Sequence, residues 1–501
     1  MLTHTTTALI TGLDATTITV EVDLNRGKPQ LIIIGLASQS VSESKERITS
    51  ALLNSGITPK SQRTIVNLAP ADIKKSGTSF DLSIAIALLK AYKKIHYDTT
   101  KTMFFGELSL DGSVKKIRGL LPLLLHAKRS GMEQVFIPKA NQSEVIMLEG
   151  IKIYPIQHLR ELLSKKNLTE LIAETITKKD TFTYTTVSFE DIYEQQEAKY
   201  ALEIAAAGGH NTLLTGPPGT GKSMLANALV SILPPLDTEE LIEVNSVYSV
   251  AGLLENNLLL QRPFRSPHHS ITIAGMLGGG TTVMPGEISL SHRGVLFMDE
   301  IPEFPQPILE SLRQPLESGV INISRVSGTT QYPCEFMLVA ASNPCPCGYK
   351  FSQMKSCVCN QNQYLQYKKR LSGPILDRVD LKVFVKTVDT KKISEEGLQN
   401  NEKSANIKQR VIEARKIQSN RYKNEKILTN SQLSTQLLRK YCPIEADAEQ
   451  ILKLSSQKYQ LSTRAYFRVI KVARTIADLQ KREVICYSDI AQALQFKITE
   501  L

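Results

Sequence analysis

Long apolar runs are absent from this sequence. The longest, Leu31–Ile34 and Leu120–Leu125, are far shorter than the roughly 20 residues that a helix needs to cross a bilayer. The first residues, Met1–Thr7, lack the basic segment and the apolar stretch of a secretory signal. We therefore expect neither membrane insertion nor secretion, and the sequence predicts a cytoplasmic protein.

Cysteine is also scarce, with 7 in 501 residues, four of them within one short window. That number excludes a disulfide framework of the kind found in small secreted domains. The hydrophobic fraction of 42% and the charged fraction of 22% are typical of globular domains. The net charge of +11 is compatible with an anionic partner, and a solvated basic surface without a partner is the alternative interpretation.

The pattern along the chain indicates an α/β protein of several domains. Short β-rich runs alternate with helical patterns over residues 1–172, and strands again alternate with helices over residues 189–386. Between them, residues 173–188 are polar and without apolar periodicity, which is typical of a linker. Residues 387–501 have helical periodicity without strand runs, and we expect a helical lid there.

A complete phosphate-binding motif begins at Gly216 and follows the apolar run Thr212–Thr215. Glycines let the backbone wrap around phosphates, and the following helix adds positive potential at its N-terminus. The lysine supplies charge to the terminal phosphates of ATP, and the serine hydroxyl can bind Mg²⁺. The predicted ATP-binding residues are Gly216, Pro217, Pro218, Gly219, Thr220, Gly221, Lys222 and Ser223.

Two further strand ends predict the rest of a hydrolytic site. The apolar run Gly294–Met298 ends in Asp299 and Glu300, so Asp299 would hold the Mg²⁺ shell and Glu300 would polarise the attacking water. The run Phe336–Ser342 ends at Asn343, whose side chain is predicted to lie beside the terminal phosphate and that water. A turn-forming asparagine before proline is the alternative interpretation of this position.

Two arginines are candidates for charge at the transition state. Arg378 follows a helical segment, and an arginine supplied by a neighbouring subunit can stabilise transferred phosphate. A surface ion pair with Asp377 or Asp380 is its alternative. Arg464 opens an apolar helix of the predicted lid, from which it would read the phosphates.

The clustered cysteines form two C-x-C pairs directly after Asn343. Four thiolates in one loop can hold tetrahedral Zn²⁺, although C-x₂-C is the more usual spacing. Buried small residues or redox-sensitive thiols are the other interpretations. The candidate zinc ligands are Cys345, Cys347, Cys357 and Cys359.

Longer runs resemble the magnesium-chelatase-like AAA+ proteins of the ComM (competence-protein) type over nearly the whole chain. The runs that carry the resemblance are Asn67–Asp72, Phe80–Leu82, Glu203–Asn211, Arg262–Ser270, Pro285–His292 and Val472–Leu479. The resemblance implies a homo-hexameric ring with ATP and Mg²⁺ at subunit interfaces. It also implies a DNA helicase or translocase that promotes branch migration of recombination intermediates during natural transformation.

The sequence itself gives partial support for DNA as the partner. Arg262 and Arg265 lie in an insert that also contains the glycines Gly278–Gly280, a combination that suits a loop gripping phosphates. Val320–Gly328 predicts a strand entering a hairpin, which in this family points into the ring channel, so Arg325 would contact single-stranded or branched DNA. Nucleotide binding or subunit contact is the alternative role for these residues.

The amino-terminal part resembles the proteolytic domain of Lon, with Ser79 at the place of the nucleophile. Lon uses a lysine as the base, in the helix after its Gly-Glu-Leu strand, and Leu121 stands at the corresponding place here. The nearby lysines are out of register: Lys115, Lys116 and Lys128. We therefore expect a Lon-protease-like scaffold domain without peptidase activity.

A second function stays open from the sequence. An ATP-driven protein remodeller, similar to the ATPase subunit of magnesium chelatase, would use the same nucleotide site. The Lon-like extension argues against the chelatase subunit itself, which lacks one.

Overall fold

In the computed structural model of this protein, strands between Leu2 and Ile156 build a mixed sheet of seven strands. That structure describes residues 2–36, 39–75, 77–145, 148, 150–164, 168–171, 187–254, 258–280, 283–325, 328–351, 355–371, 373–387 and 402–498. The predicted linker, 173–188, lies outside the described residues except at 187 and 188. The expected boundary at 386–387 borders the undescribed residues 388–401.

The first two strands form one long antiparallel pair, from Leu2↔Asp23 to Thr11↔Asp14, and Thr3, Thr5 and Thr7 of the first strand are buried. The sheet has the order β3-β4-β2-β1-β5-β8-β9, and β6 pairs with β7 in a separate ribbon. The strands are β1 (Leu2–Thr11), β2 (Asp14–Asn25), β3 (Gln30–Ile34), β4 (Arg63–Ala69), β5 (Thr102–Phe104), β6 (Glu107–Leu108), β7 (Val114–Lys115), β8 (Gln134–Pro138) and β9 (Lys152–Ile156). The helices are α1 (Gln39–Asn54), α2 (Asp81–Ala91) and α3 (Leu120–Arg129), with 3₁₀ turns at Lys139–Glu144 and Leu159–Leu163.

A second, parallel sheet of five strands follows, in the order β11-β14-β17-β10-β18. Its central strands are buried on both faces, as the continuous apolar runs predicted. The strands of this region are β10 (Thr212–Thr215), β11 (Phe264–Arg265), β12 (Gly278–Gly279), β13 (Met284–Pro285), β14 (Val295–Met298), β15 (Val320–Arg325), β16 (Gly328–Pro333), β17 (Met337–Ser342) and β18 (Leu381–Phe384). The hairpins β12–β13 and β15–β16 stand apart from the main sheet.

Helices cover this sheet and complete the carboxyl-terminal part. Around the sheet lie α4 (Gln196–Gly208), α5 (Lys222–Ile232), α6 (Thr238–Ala251), α7 (Ile273–Leu277), α8 (Glu287–Leu290), α9 (Gln306–Ser311), α10 (Arg313–Ser318), α11 (Gln361–Arg370) and α12 (Gly373–Leu376), with 3₁₀ turns at Phe189–Asp191 and Ile301–Glu303. The last part contains α13 (Ser404–Arg421), α14 (Thr435–Tyr441), α15 (Ala446–Lys458), α16 (Thr463–Leu479) and α17 (Tyr487–Ile498), with a 3₁₀ turn at Asn430–Gln432. The predicted mixed α/β architecture with a helical carboxyl-terminal region is confirmed.

The amino-terminal sheet and the second sheet are joined through α3 and α6. The Gly119 N–H donates to the Ser249 carbonyl at 2.9 Å, and the Ser249 hydroxyl donates to the Glu144 carboxylate at 2.6 Å. Burial raises the pKa of Glu144, although the hydrogen bonds from Ser249 and Asn141 oppose the shift. A buried, hydrogen-bonded carboxyl group at this junction fixes how the two parts meet.

The helical region is fixed to the second sheet by a buried charged network around Asp380, whose residue is 3% exposed. One carboxylate oxygen accepts from Arg468, and the other lies 3.3 Å from the His210 Nδ1. The His210 Nε2 lies 2.8 Å from the Thr475 hydroxyl in α16. Burial alone would raise the pKa of Asp380, but Arg468 and His210 outweigh it and hold that pKa well below its usual range.

Among the described residues, no helix combines the length and the apolar character that a bilayer crossing requires.

Replacing Asp380 with asparagine should destabilise the junction between the second sheet and the helical region, because the partly buried Arg468 would lose its carboxylate partner. We expect the free energy of unfolding to fall by about 3 kcal/mol at neutral pH, measured by chemical denaturation. Because the folded pKa is depressed below the ordinary 3.8, this contribution is present at neutral pH and is lost only in strong acid. The exposed Asp377→Asn is the control, and equal losses from both substitutions would contradict the assignment.

Candidate active site

Three neighbouring strands of the parallel sheet end at the same edge. β10 leads into Gly216, β14 into Asp299 and β17 into Asn343, with β17 paired between the other two. Because parallel strands share one carboxyl edge, residues far apart in sequence meet there. This edge brings together the predicted phosphate loop, the predicted acidic pair and the predicted polar strand tip.

The phosphate loop needs glycine at two points for different reasons. A Cβ on Gly216 would lie 2.3 Å from the Val385 carbonyl oxygen, so the loop leaves β10 in close contact with the chain after β18. Gly221 has φ of +87° and directly precedes α5. The loop therefore ends on a helix N-terminus, where backbone N–H groups and the helix dipole favour an anion.

Lys222 is buried and its ammonium group is held over the loop. The Nζ donates to the carbonyls of Gly216 at 2.7 Å and Pro217 at 2.9 Å, and to the Asn343 Oδ1 at 3.1 Å. Burial lowers the pKa of Lys222, while Asp299 and Glu300 oppose that shift. A cation positioned in this way is suited to bind phosphate oxygens.

Ser223 and Asp299 form the oxygen pair that suits Mg²⁺. The Ser223 hydroxyl donates to the Asp299 carboxylate at 2.8 Å. Hard divalent ions such as Mg²⁺ prefer hydroxyl, carboxylate and phosphate oxygens. The donor set therefore fits a magnesium ion bound together with a nucleotide.

Glu300 is exposed directly beside this pair, in a left-handed backbone conformation with φ of +47°. Its backbone N–H donates to the Asp299 carboxylate at 2.9 Å. A residue other than glycine is uncommon in this conformation. The turn separates the two acids: Asp299 faces Ser223, and Glu300 is left exposed to solvent.

Asn343 is supported by the segments that follow it. The Tyr367 side chain of α11 is buried close to Ser342 and the Asn343 backbone, and burial raises its pKa. A Cβ on Gly348 would lie 2.7 Å from the Pro218 ring, so the cysteine segment touches the phosphate loop. Sequence patterns missed Tyr367, because nothing local marks a tyrosine in a basic helix as a buried support.

The structure does not bring Arg378 and Arg464 to this edge in the same chain. Strands β10 and β18 are parallel neighbours, paired from Thr212↔Leu381 to Thr215↔Phe384. The phosphate loop follows the end of β10, whereas Arg378 comes before the start of β18. Arg378 therefore lies at the amino edge of the sheet. The length of the four-residue strand, about 13 Å, separates that edge from the carboxyl edge with the phosphate loop. The Arg378 Nη2 lies 2.5 Å and the Arg464 Nη1 3.6 Å from the Glu317 Oε1, so both predicted arginines meet at one carboxylate.

Two of the three predicted DNA-contacting arginines have carboxylate partners within the chain. Arg262 donates to both oxygens of Glu240, at 3.1 and 2.6 Å, and Arg265 to both oxygens of Glu287, at 2.6 and 2.7 Å. These bidentate pairs compete with any phosphate for the two guanidinium groups. Arg325 ends β15 at the tip of its hairpin, and its side chain is outside the described part. The DNA role of all three stays a prediction.

The four clustered cysteines do meet in space. Their sulfur atoms all lie within 4.8 Å of one another. The Cys345 Sγ accepts from the Lys350 N–H, and the Cys359 Sγ accepts from the Cys347 N–H, each at 3.3 Å. Backbone N–H donors directed at sulfur favour thiolates, which are the form of cysteine that binds metals.

In the amino-terminal domain, Leu121 is fully buried in an apolar cluster. Of the nearby lysines, Lys116 reaches across the domain junction to the Leu254 carbonyl. The Ser79 carbonyl accepts from the Gly106 N–H at 3.2 Å. The absence of peptidase activity stays a prediction.

Three family models match consecutive parts of the chain. The model described as magnesium chelatase, subunit ChlI, matches residues 188–393. That described as subunit ChlI of Mg-chelatase matches residues 20–141, and that described as magnesium chelatase, subunit ChlI C-terminal, matches residues 401–497.

Similar proteins extend over nearly the whole length. The chain is 40% identical over 496 residues to competence protein ComM of Haemophilus influenzae, covering 97% of this chain and 95% of that protein. It is 38% identical over 499 residues to the uncharacterized protein YifB of Escherichia coli, covering 99% and 96%. Lon protease 2 of Bacillus subtilis is 32% identical over 139 residues, which are 26% of this chain and 25% of that protein. The chain therefore belongs to the ComM-type family of magnesium-chelatase-like proteins.

Proposed function

We propose that this chain is an ATP-hydrolysing AAA+ motor that acts on DNA and promotes branch migration or unwinding of recombination intermediates in natural transformation. The sheet edge that joins Lys222, the Ser223–Asp299 pair and Asn343 carries the ATPase part of the proposal. Full-length similarity to a competence protein supports the DNA part.

Each side chain at the edge has a proposed role in hydrolysis. Lys222 binds the β- and γ-phosphates, while Ser223 and Asp299 hold Mg²⁺, which would neutralise phosphate charge. Glu300 accepts a proton from the attacking water, which Asn343 orients. Asn343 accepts a hydrogen bond from the Lys222 Nζ at 3.1 Å, so its amide group is already placed beside the predicted phosphate cation.

The position of Arg378 and Arg464 favours hydrolysis at a subunit interface. Both lie at the amino edge of their own sheet, joined through Glu317, and thus away from the nucleotide of the same chain. In a closed ring, one face of each subunit meets the opposite face of its neighbour. We propose that the ring is a hexamer in which both arginines leave Glu317 for the phosphates of the adjoining subunit.

DNA would pass along the surfaces that carry the two hairpins. The β15–β16 hairpin projects outside the main sheet and brings Arg325 to its tip. Arg262 and Arg265 would bind phosphate only by exchanging their carboxylate partners. The net charge of +11 supports an anionic partner of this kind.

A structural zinc ion is proposed for Cys345, Cys347, Cys357 and Cys359. Tetrahedral bonds of about 2.3 Å place thiolate sulfurs about 3.8 Å apart. The sulfur of Cys345 lies 3.4 Å from that of Cys347 and 3.7 Å from that of Cys357. These separations fit one ion at the centre of the four sulfurs.

Branched or single-stranded DNA should stimulate ATP turnover by the wild-type chain, because a motor couples hydrolysis to its track. Glu300→Gln should still bind ATP but lose at least about 100-fold in turnover with every DNA, since it removes the proposed base. Turnover is measured by phosphate release with single-stranded, duplex and four-way DNA.

The exposed Glu310→Gln on α9 is the matched control and should hydrolyse ATP normally. Normal turnover by Glu300→Gln would contradict the site. If none of the three DNA substrates changes ATP turnover by the wild type, the DNA motor is rejected and the protein-remodeller alternative is favoured.

Mixing two inactive variants should restore activity if Arg378 acts across an interface. A subunit with Arg378→Ala keeps an intact nucleotide site, and a Glu300→Gln neighbour keeps the arginine. With random assembly, about a quarter of the interfaces of a closed ring would be complete. ATP turnover of the mixture is measured after confirming that rings contain both variants.

The matched control mixes Glu300→Gln with Lys222→Ala. Both substitutions damage the nucleotide site itself, so every subunit of that mixture has a defective site. No interface can then combine an intact nucleotide site with an intact Arg378. Equal inactivity of both mixtures, despite shared rings, would contradict an interfacial role for Arg378.

Cys357→Ser should abolish zinc binding, because structural zinc sites use all four ligands. Wild-type protein purified without chelators is expected to contain about one zinc per chain by elemental analysis. Cys357 is exposed, so the substitution does not disturb the core. Cys486→Ser, outside the cluster, is the control and should keep its zinc; a wild type that binds no zinc even when supplied would contradict the site.

A further inference from the structure

The segment around the four cysteines contains no acidic residue. From Phe336 to Leu376 the sequence has neither aspartate nor glutamate, although acids make up 49 of the 501 residues. We call its described residues, 345–351 and 355–370, the cysteine module. The basic residues of the module are Lys350, Lys355, Lys368, Lys369 and Arg370.

Most of this charge faces solvent. Lys355, Lys368 and Lys369 are exposed, whereas Arg370 is paired with Glu303 at 3.2 Å. A zinc ion with four thiolates carries a charge of about −2, which the lysines of the module outweigh. The exposed surface therefore stays positive when the metal is bound.

Aromatic rings lie among the lysines. The Lys350 Nζ is 3.2 Å and the Lys368 Nζ 5.1 Å from the centre of the Tyr364 ring, and the Lys355 Nζ is 4.9 Å from that of Tyr349. Phe351 is 61% exposed. Cations that follow a backbone, combined with rings on which bases stack, are typical of surfaces that bind single-stranded nucleic acid.

The module also touches three parts of the nucleotide site. Gly348 packs on Pro218 of the phosphate loop, and the buried Tyr367 lies beside the end of β17. Arg370 pairs with Glu303, three residues after the proposed base. A ligand on the module would therefore act next to the phosphate loop, the end of β17 and the turn after Glu300, which are the parts that we propose for hydrolysis.

We propose that the cysteine module binds the phosphate backbone of single-stranded nucleic acid and couples that binding to the adjacent ATP site. The inference rests on the proposed DNA motor and adds a contact surface distinct from Arg262, Arg265 and Arg325. The four cysteines would hold a zinc ion that fixes the loop, the exposed lysines bind phosphates, and the rings accept unstacked bases.

The test is the double variant Lys368→Gln/Lys369→Gln, whose two side chains are exposed on α11. Its affinity for a fluorescein-labelled oligothymidylate should fall about tenfold at moderate salt. The slope of affinity against salt should become shallower by about 1.4, because each phosphate contact on a single strand contributes about 0.7. ATP turnover without DNA should be unchanged, and the increase in ATP turnover caused by DNA should become smaller.

The matched control is Lys93→Gln/Lys94→Gln, an exposed adjacent lysine pair in the amino-terminal domain. It should keep both wild-type affinity and slope. A wild type that binds no oligonucleotide overturns the motor and this inference together. If the wild type binds the oligonucleotide but the salt dependence of Lys368→Gln/Lys369→Gln is unchanged, this inference alone is overturned. The same holds if polyglutamate of the same charge displaces labelled protein-bound oligonucleotide as well as unlabelled oligonucleotide does.

Discussion

The parallel pairing of β10, β17 and β14 is the constraint on which the candidate site depends. Each strand carries one feature of the site at its carboxyl end: the phosphate loop after β10, the two acids after β14 and Asn343 after β17. These features are far apart in the sequence. Register determines whether they meet: Thr215 pairs with Ser342, so the phosphate loop and Asn343 leave the sheet side by side. The hydrogen bond from Lys222 to Asn343 follows directly from this register. The buried apolar faces that fix the register therefore also fix the chemistry.

The two edges of the same sheet divide the proposed work between subunits. The carboxyl edge carries Lys222 and the acids, while the amino edge carries Arg378, and one short strand separates them. The network of Asp380, Arg468 and His210 lies at that amino edge and joins it to helix α16. A displacement of α16 would thus move the arginines more directly than the phosphate loop. A ring that completes each site from two subunits makes hydrolysis sensitive to how neighbours are oriented.

Local motifs were predictable from the sequence, and long-range partners were not. The phosphate loop is continuous, and a glycine-rich turn between strand and helix has few other uses, so its position beside Asp299 followed once both strands were recognised. Arg262 is different: its partner Glu240 lies on another helix, and no sequence pattern indicates that the guanidinium is already paired. The helical periodicity predicted over residues 387–501 is confirmed in the described part of that range, which contains α13 to α17. The meeting of Arg378 with Arg464 at Glu317 required the fold.

The amino-terminal domain has a physical reason to be retained even without peptidase chemistry. Its β1–β2 turn packs against the projecting hairpin: a Cβ on Gly12 would lie 2.4 Å from the Thr330 side chain. On the other side, the Tyr332 hydroxyl donates to the Val283 carbonyl at 2.8 Å. A two-stranded hairpin alone is marginally stable in water, so its direction depends on such supports. Because the β1–β2 turn belongs to a seven-stranded sheet, its contact with Thr330 is a support that could hold the hairpin in place.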